Sequence, residues 1–267
     1  MNGPVTPPAL LATADELDAL AYGLAGAGFP GAGFPGAGFP GAGFPGAGFP
    51  GLGPTLVAAA APEQRAAVAR RLTGGLRMRG IVQSCAGGWQ VAPAYRELLD
   101  ATLDPDLVVG VRVRTPAAST MTLVSRGRGA VVLHEATTDG DHRLRHSPTD
   151  LLTTVRDLLA APAHPPHGAG AERLTRTELR RRVEHGPATP FTHAVAGCRY
   201  AARVTPFGGA ADGTYHAASA VLLAAESGPL WTVEVHDDTV AAEPVDDVTA
   251  WLRQLLLEPV PARANRG

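Results

Sequence analysis

The chain has few residues arranged for chemistry. The nearest approach to a metal-ligand spacing is His164-Pro-Pro-His167, where two prolines deny the histidines a helical face. No third ligand with a characteristic spacing accompanies them, so the pair does not read as a metal site. The doublets Asp237-Asp238 and Asp246-Asp247 offer paired carboxylates for acid–base work. Their settings argue otherwise. "HDDT" is turn chemistry, and Asp246-Asp247 stands where a helix begins and its dipole favours negative charge. In "DHRLRH", strand alternation puts His142 and His146 on one face and Arg143 and Arg145 on the other. That reads as a solvated edge strand, with a basic recognition face as the alternative. There is no G-x-S-x-G elbow, no H-E-x-x-H and no P-loop. The "GAG" units neither follow a strand nor open a helix, so they are no dinucleotide fingerprint. The pattern points away from an enzyme, a cofactor, a metal or a small-molecule ligand.

Composition narrows the partners. The formal net charge is -2 over 267 residues, which by itself calls for neither nucleic acid nor a membrane surface. All 23 basic residues are Arg, a pattern that suits a GC-rich genome. Cys85 and Cys198 are too few and too far apart for a disulfide framework or a metal quartet, and they read as reduced, buried small hydrophobes. No basic segment followed by an apolar one opens the chain, and no apolar run approaches the ~20 residues that span a bilayer. The expectation is a soluble cytoplasmic protein.

Residues 26–50 are one pentapeptide, GAGFP, written five times. Pro-Gly is a type II turn signal, and proline at every fifth position suits neither a helix nor a ladder strand. The repeat resembles elastin-like pentapeptides. It reads as a tandem expansion tolerated in a surface loop, because lengthening a loop costs little entropy. A self-associating spacer is the alternative. Five of the seven Phe lie in it, so the folded body must build its core from Leu, Val and Ala.

Around the repeat, regular elements are legible. Thr13 and Glu16 form a capping box ahead of a helix with Leu17, Leu20 and Leu24 on one face. A second helix has Pro62 in its first turn, a stripe of Val68, Leu72 and Leu76, and Gly80 as its stop. Ile81-Val82 and Trp89-Gln90-Val91 flank "QSCAGG" as a hairpin, and a helix from Pro93 carries Tyr95, Leu98, Leu99 and Leu103. Val109, Val111 and Val113 then alternate with Gly110, Arg112 and Arg114. After the turn "TPAAS" come "TMTLVS", "AVVLHEATT" and "HRLRH", then a helix opened by Ser147-Pro148 with Leu152, Val155 and Leu159 inward. Residues 161–172 read as a linker. Beyond it stand a basic helix anchored by Leu174, Leu179 and Val183, the segment "FTHAVAGCRYAARVTPF", which reads as a strand with helical ambiguity at its start, and the strands "GTYHAASAVLLAAE" and "LWTVEVHDD". "DDTVAAEP" leads into the last helix, and Trp231 and Trp251 read as core or interface anchors.

The two halves, 1–160 and 173–267, echo one another. "AVVL" at 130–133 matches "AVLL" at 220–223, Pro148 matches Pro244, Asp150 matches Asp246, and Leu152/Val155/Leu159 match Val248/Trp251/Leu255. Strands followed by a helix, twice, predict an α+β fold: a pseudo-two-fold repeat of antiparallel strands plus helix that forms a central sheet flanked by helices.

Four stretches resemble the EspG family of type VII (ESX) secretion chaperones of actinobacteria: "TADELDALAYGLAG", "GLRMRGIV", "DPDLVVGVRVR" and the long closing stretch "YHAASAVLLAAESGPLWTVEVHDDTVAAEPVDDVTAWLRQLL". The resemblance covers most of the chain outside the repeat. It implies a non-enzymatic cytosolic chaperone or adaptor that shields the exposed tip of a PE–PPE heterodimer, so the expected partner is a secreted helical protein or a secretion component. It also implies a role for the loop between the first two sheet strands, here residues 115–119. With the sheet and last helix as working surface, the candidate contacts are Arg112, Arg114, Thr115, Ser119, Arg143, Arg145 and Trp251. A second reading takes residues 62–91 as a winged helix, a DNA-binding regulator with Arg65, Arg70, Arg71, Arg77 and Arg79 on phosphates. The bland reading of those arginines is a solvated helix face.

Overall fold

The fold is that of a computed structural model of the chain. It describes residues 9–26, 55–85, 88–103, 105–127, 129–137, 139–162, 168–209, 215–217 and 219–257. Nearly all of the GAGFP repeat and the His164/His167 pair lie outside these residues. The architecture is α+β, with an eleven-stranded sheet and helices. The chain divides into two compact units, 1–108 with 123–150 and 208–215, and 109–122 with 151–207 and 216–267.

In the first unit, β1 (Leu10–Thr13) runs into α1 (Ala14–Gly26). The predicted capping box is made: Glu16 N–H donates to Thr13 Oγ1 at 3.1 Å, and Thr13 N–H donates to Glu16 Oε2 at 3.0 Å. Leu17, Ala19, Leu20 and Ala21 of α1 are buried. Directly after the repeat, the chain returns to this helix. Leu56 N–H donates to Asp15 Oδ1 at 2.7 Å, and Thr55 Oγ1 donates to Asp18, at the start of α2 (Leu56–Ala59). Then comes α3 (Arg65–Met78), which begins three residues after Pro62. Its end is a Schellman motif: Gly80, at φ +71°, donates to Arg77 O at 3.0 Å, and Ile81 N–H donates to Leu76 O at 2.9 Å. The expected hairpin forms, but its strands β2 (Val82–Cys85) and β3 (Gly88–Val91) take in Gln83–Cys85 and Gly88 from the expected turn segment; the helix α4 (Pro93–Leu103) follows as expected.

The strands β4 (Leu107–Arg114) and β5 (Ser119–Gly127) are divided between the units by their residues. Alternation on β4 holds only past Gly110. From Leu107 to Val111 every residue is buried, as in a strand covered on both faces. Next are β6 (Ala130–Ala136) and β7 (Asp141–His146). β7 is not an edge strand, because β1 pairs with it, Leu10 opposite Leu144 and Thr13 opposite Asp141. The first core gathers Leu10, Leu17, Leu20, Leu76, Leu98, Leu99, Leu103, Val132 and Leu144.

The second unit holds α5 (Leu151–Leu159), β8 (Glu172–Thr175), α6 (Arg176–His185), α7 (Pro190–Ala196), β11 (Ala220–Ala225), β12 (Trp231–His236), β13 (Thr239–Pro244) and α8 (Val248–Leu257), with most of β9 (Cys198–Gly209) and β10 (Tyr215–Ala217), whose residues 208–209 and 215 belong to the first. Leu174 lies in β8 rather than in the basic helix, "DDTVAAEP" contains β13, and the start of "FTHAVAGCRYAARVTPF" is helix rather than strand, because Thr189 and Thr192 form a capping box with Pro190 in the first turn. Asp237, at φ +51°, and Asp238 make the expected two-residue turn. Asp247 caps α8, accepting from Thr249 and Ala250 N–H at 2.8 and 3.1 Å. The second core joins Leu174, Phe191, Trp231, Val233 and Val240, with Phe191 and Trp231 ring centroids 5.4 Å apart. Tyr200 donates to the Leu159 carbonyl at the end of α5 at 2.9 Å, and burial pushes its phenol well above the usual range. Cys198 is exposed, not a buried small hydrophobe.

The strand order β1-β7-β6-β5-β4-β9-β11-β12-β13-β8, with β10 on β9, reads alike from either end. It equates β6 with β12 and β5 with β11, one strand off the AVVL/AVLL match. Burial also shifts the helical echo by one residue: Leu151, Val155 and Leu159 stand where α8 has Val248, Leu252 and Leu256. The echo the sequence reading missed is T-x-x-E itself. Thr13 and Glu16 recur as Thr175 and Glu178, with Glu178 N–H donating to Thr175 Oγ1 at 3.0 Å.

Candidate functional site

Four of the seven candidate contacts lie on one hairpin of the second unit. Arg112 and Arg114 are exposed on β4, and Thr115 and Ser119 flank its turn. The turn is closed by Thr115 and Ala118: Thr115 N–H donates to Ala118 O at 2.8 Å, and Ala118 N–H donates to Thr115 Oγ1 at 3.2 Å. Two residues, Pro116 and Ala117, make the loop between them, and proline presets the backbone there. Every residue from Arg114 to Met121 is exposed, and burial resumes at Thr122. The result is a short, stiff, cationic arm, with Met121 at 41% exposure as its apolar component.

In the first unit, Arg143 is exposed opposite Leu11 of β1 and Glu135 of β6. Arg145 is half-buried and ion-paired to Glu135 at 3.1 Å, so its charge is already matched. The predicted two-His face is a core face. His142 is buried, and its Nδ1 lies 2.9 Å from Nε2 of His134, which is buried too. One ring donates and the other accepts, so the two rings cannot both be doubly protonated while this bond holds. Burial lowers the His142 pKa below its usual 6.5, and Asp141 opposes the shift. Trp251 is half-buried on α8, beside the buried Leu252.

An open depression of about 280 Å³ in the first unit is lined by Pro93, Arg96, Glu97, Asp100, Ala101, Gly127 and Ala130. Its lining holds carboxylates and a guanidinium but no Ser, Cys or His to act as nucleophile or shuttle. Among the described residues no group of three or more His, Cys, Asp or Glu is placed to hold a metal ion, and no helix is long and apolar enough to cross a membrane.

The arginines of the winged-helix reading are largely engaged. Arg65 and Arg70 donate to carbonyls of their own segment at 3.1 and 3.2 Å. Arg77 donates to Ser84 Oγ at 2.7 Å. Arg79 pairs with Glu16 at 2.7 Å and donates to the Leu11 carbonyl at 2.6 Å.

No protein-family model matches the chain, and no curated protein matches it. Among solved structures, the chain is similar to the type VII secretion system chaperone EspG5 of Mycobacterium tuberculosis, in its complex with the PE25–PPE41 dimer. The TM-score is 0.47 at 12% identity, over 68% of this chain and 81% of that one.

Proposed function

We propose that this chain is a non-enzymatic, cytosolic chaperone or adaptor that binds a secreted helical protein for type VII secretion. The observation that carries it is the β4–β5 hairpin. Arg112, Arg114, Thr115 and Ser119 stand in solvent at the end of this hairpin, where a partner meets guanidinium charge that no intramolecular ion pair occupies among the described residues. The four stretches that resemble EspG chaperones supply the client class, a PE–PPE-like dimer. Arg143 and Trp251 are the remaining contacts of this reading, and Arg145 the weakest, since Glu135 holds it. The linear division, 1–160 and 173–267 around a linker at 161–172, belongs to the same proposal. DNA binding is not adopted, because Arg77 and Arg79 bond to protein acceptors.

The test is co-purification of the tagged full chain from its native host with mass spectrometry, beside the Arg112→Glu/Arg114→Glu variant. The expected result is a small helical secreted protein in the first sample and about 10-fold less in the second. Circular dichroism should be unchanged. Recovery of neither a secreted helical protein nor a secretion component overturns the proposal.

A further inference from the structure

The outer end of the second unit carries a surface that the hairpin reading does not use. β8 is the last strand in the order, paired with β13 on one side. Arg176 N–H donates to Asp238 O at 2.8 Å. In an antiparallel ladder, Leu174 and Glu172 then bond toward β13, opposite Val240 and Ala242. The main-chain N–H and C=O of Arg173 therefore point to the other side, which no strand pairs among the described residues. The Arg173 side chain is exposed as well.

The helix that follows is built to match. In α6 the inner face is Glu178, Leu179, Arg182 and Val183, all half-buried, and Arg182 is ion-paired to Glu178. The outer face is Arg176, Thr177, Arg180, Arg181 and Glu184, all exposed, and no α6 residue is fully buried. Among the described residues no ion pair engages Arg173, Arg176, Arg180 or Arg181. Their placement works against the helix itself. Arg176 occupies the first position, at the positive end of the dipole, and Arg180 repeats its charge one turn on. A face selected only for solubility gains by pairing such charges, as the inner face does.

We infer that β8 and α6 form a docking surface for an acidic, extended segment of a partner protein. The segment adds as a strand to the open side of β8, and its carboxylates meet Arg173, Arg176, Arg180 and Arg181. Phosphates of a nucleic acid complement the arginines, but a nucleic acid lacks the alternating row of N–H donors and C=O acceptors that a peptide strand brings to the Arg173 main chain. The surface is separate from the hairpin. It lies five strand positions from β4, about 24 Å along the sheet.

The experiment is fluorescence anisotropy on the full chain with three probes at about 50 mM salt. They are an alternating Glu/Val peptide of about ten residues, the same peptide N-methylated at alternate residues, and a single-stranded oligonucleotide of equal charge. The acidic peptide should bind, and N-methylation and Arg180→Glu/Arg181→Glu should each weaken it by about 10-fold. Arg112→Glu/Arg114→Glu should leave it unchanged, which keeps this surface distinguishable from the hairpin. Hydrogen exchange should slow at residues 171–175 on binding. No binding by the peptide, indifference to N-methylation, or equal binding of the oligonucleotide overturns the inference.

Discussion

β1 and β8 are both four-residue strands at an end of the sheet order. Each ends in a threonine that caps the next helix, and each has a glutamate three residues on. At β1 the glutamate turns back. Glu16 accepts from Thr13 N–H and holds Arg79, which in turn donates to the Leu11 carbonyl. Leu11 and Thr13 have the same parity, so one ion pair takes up the Thr13 N–H and the Leu11 carbonyl on the outward side of that strand. Gly75 makes room for it, since a Cβ there would stand 2.8 Å from Glu16 Oε1. At β8 the glutamate turns along its helix. Glu178 pairs with Arg182, and Arg173 keeps its outward groups open. The comparison teaches that a cap motif starts a helix but does not decide the fate of the edge beside it. That depends on whether a distant cation arrives, and an unguarded edge is a place for pairing.

The largest expected effect tests whether α1 is a core helix and α6 a surface one. Leu20→Ala should cost about 2–5 kcal/mol by urea denaturation, and Leu179→Ala about 1 kcal/mol. Equal costs break the comparison. Next is the closed edge itself. Arg79→Ala strips the Leu11 carbonyl and Glu16 of their partner and should cost about 1–2 kcal/mol. Sedimentation velocity should then show self-association through β1. Arg173→Ala should change stability by less than about 0.5 kcal/mol.

A pH titration sharpens the contrast between the neighbouring strands. β7 carries His142 on its core face, whereas the buried residues of β13 are Val240 and Ala242. The native His142 pKa lies below 6.5, so the unfolded chain takes up a proton first as pH falls. Stability is therefore full above about 6.5 and declines below it toward the lowered native value. His142→Gln should flatten this slope in urea midpoints taken across about pH 5 to 8.

Deleting residues 26–50 should leave the fold intact and raise stability by about 1 kcal/mol, through loop entropy. The geometry permits it. Thr55 is tied to Asp18, and residues 51–54 can reach back from Ala25 with about 17 Å of chain against about 11 Å of helix rise. Loss of the urea transition would show the repeat to be part of the fold. One small effect has the opposite sign from most substitutions. Arg176→Glu should stabilise the protein by about 0.3–1 kcal/mol, because it relieves the dipole and the Arg180 repulsion. A destabilised variant would mean that Arg176 serves the fold rather than a partner.

Local chemistry was legible in the sequence where it closes within one turn. The Thr13/Glu16 box, the Gly80 stop, the Asp237-Asp238 turn and the hairpins follow from neighbours a few residues apart. β1, β8 and β13 were not legible, because strands of four to six residues are defined by what pairs with them. Missing β13 displaced the internal echo by one strand. The candidate contacts divide in the same way. Exposure of Arg112 and Arg114 followed from alternation, but the Glu135 partner of Arg145 comes from register across β6 and β7. By itself the sequence determined the Thr13/Glu16 helix start, the Gly80 stop, the turn chemistry and the Leu/Val/Ala character of the first core, but not α7 or the Phe191–Trp231 centre of the second. Only the tertiary structure decided which edge strand is sealed and which arginines remain free, because both depend on groups brought together from far apart in the chain. Arg79 and Leu11 are 68 residues apart, and no local pattern records their meeting.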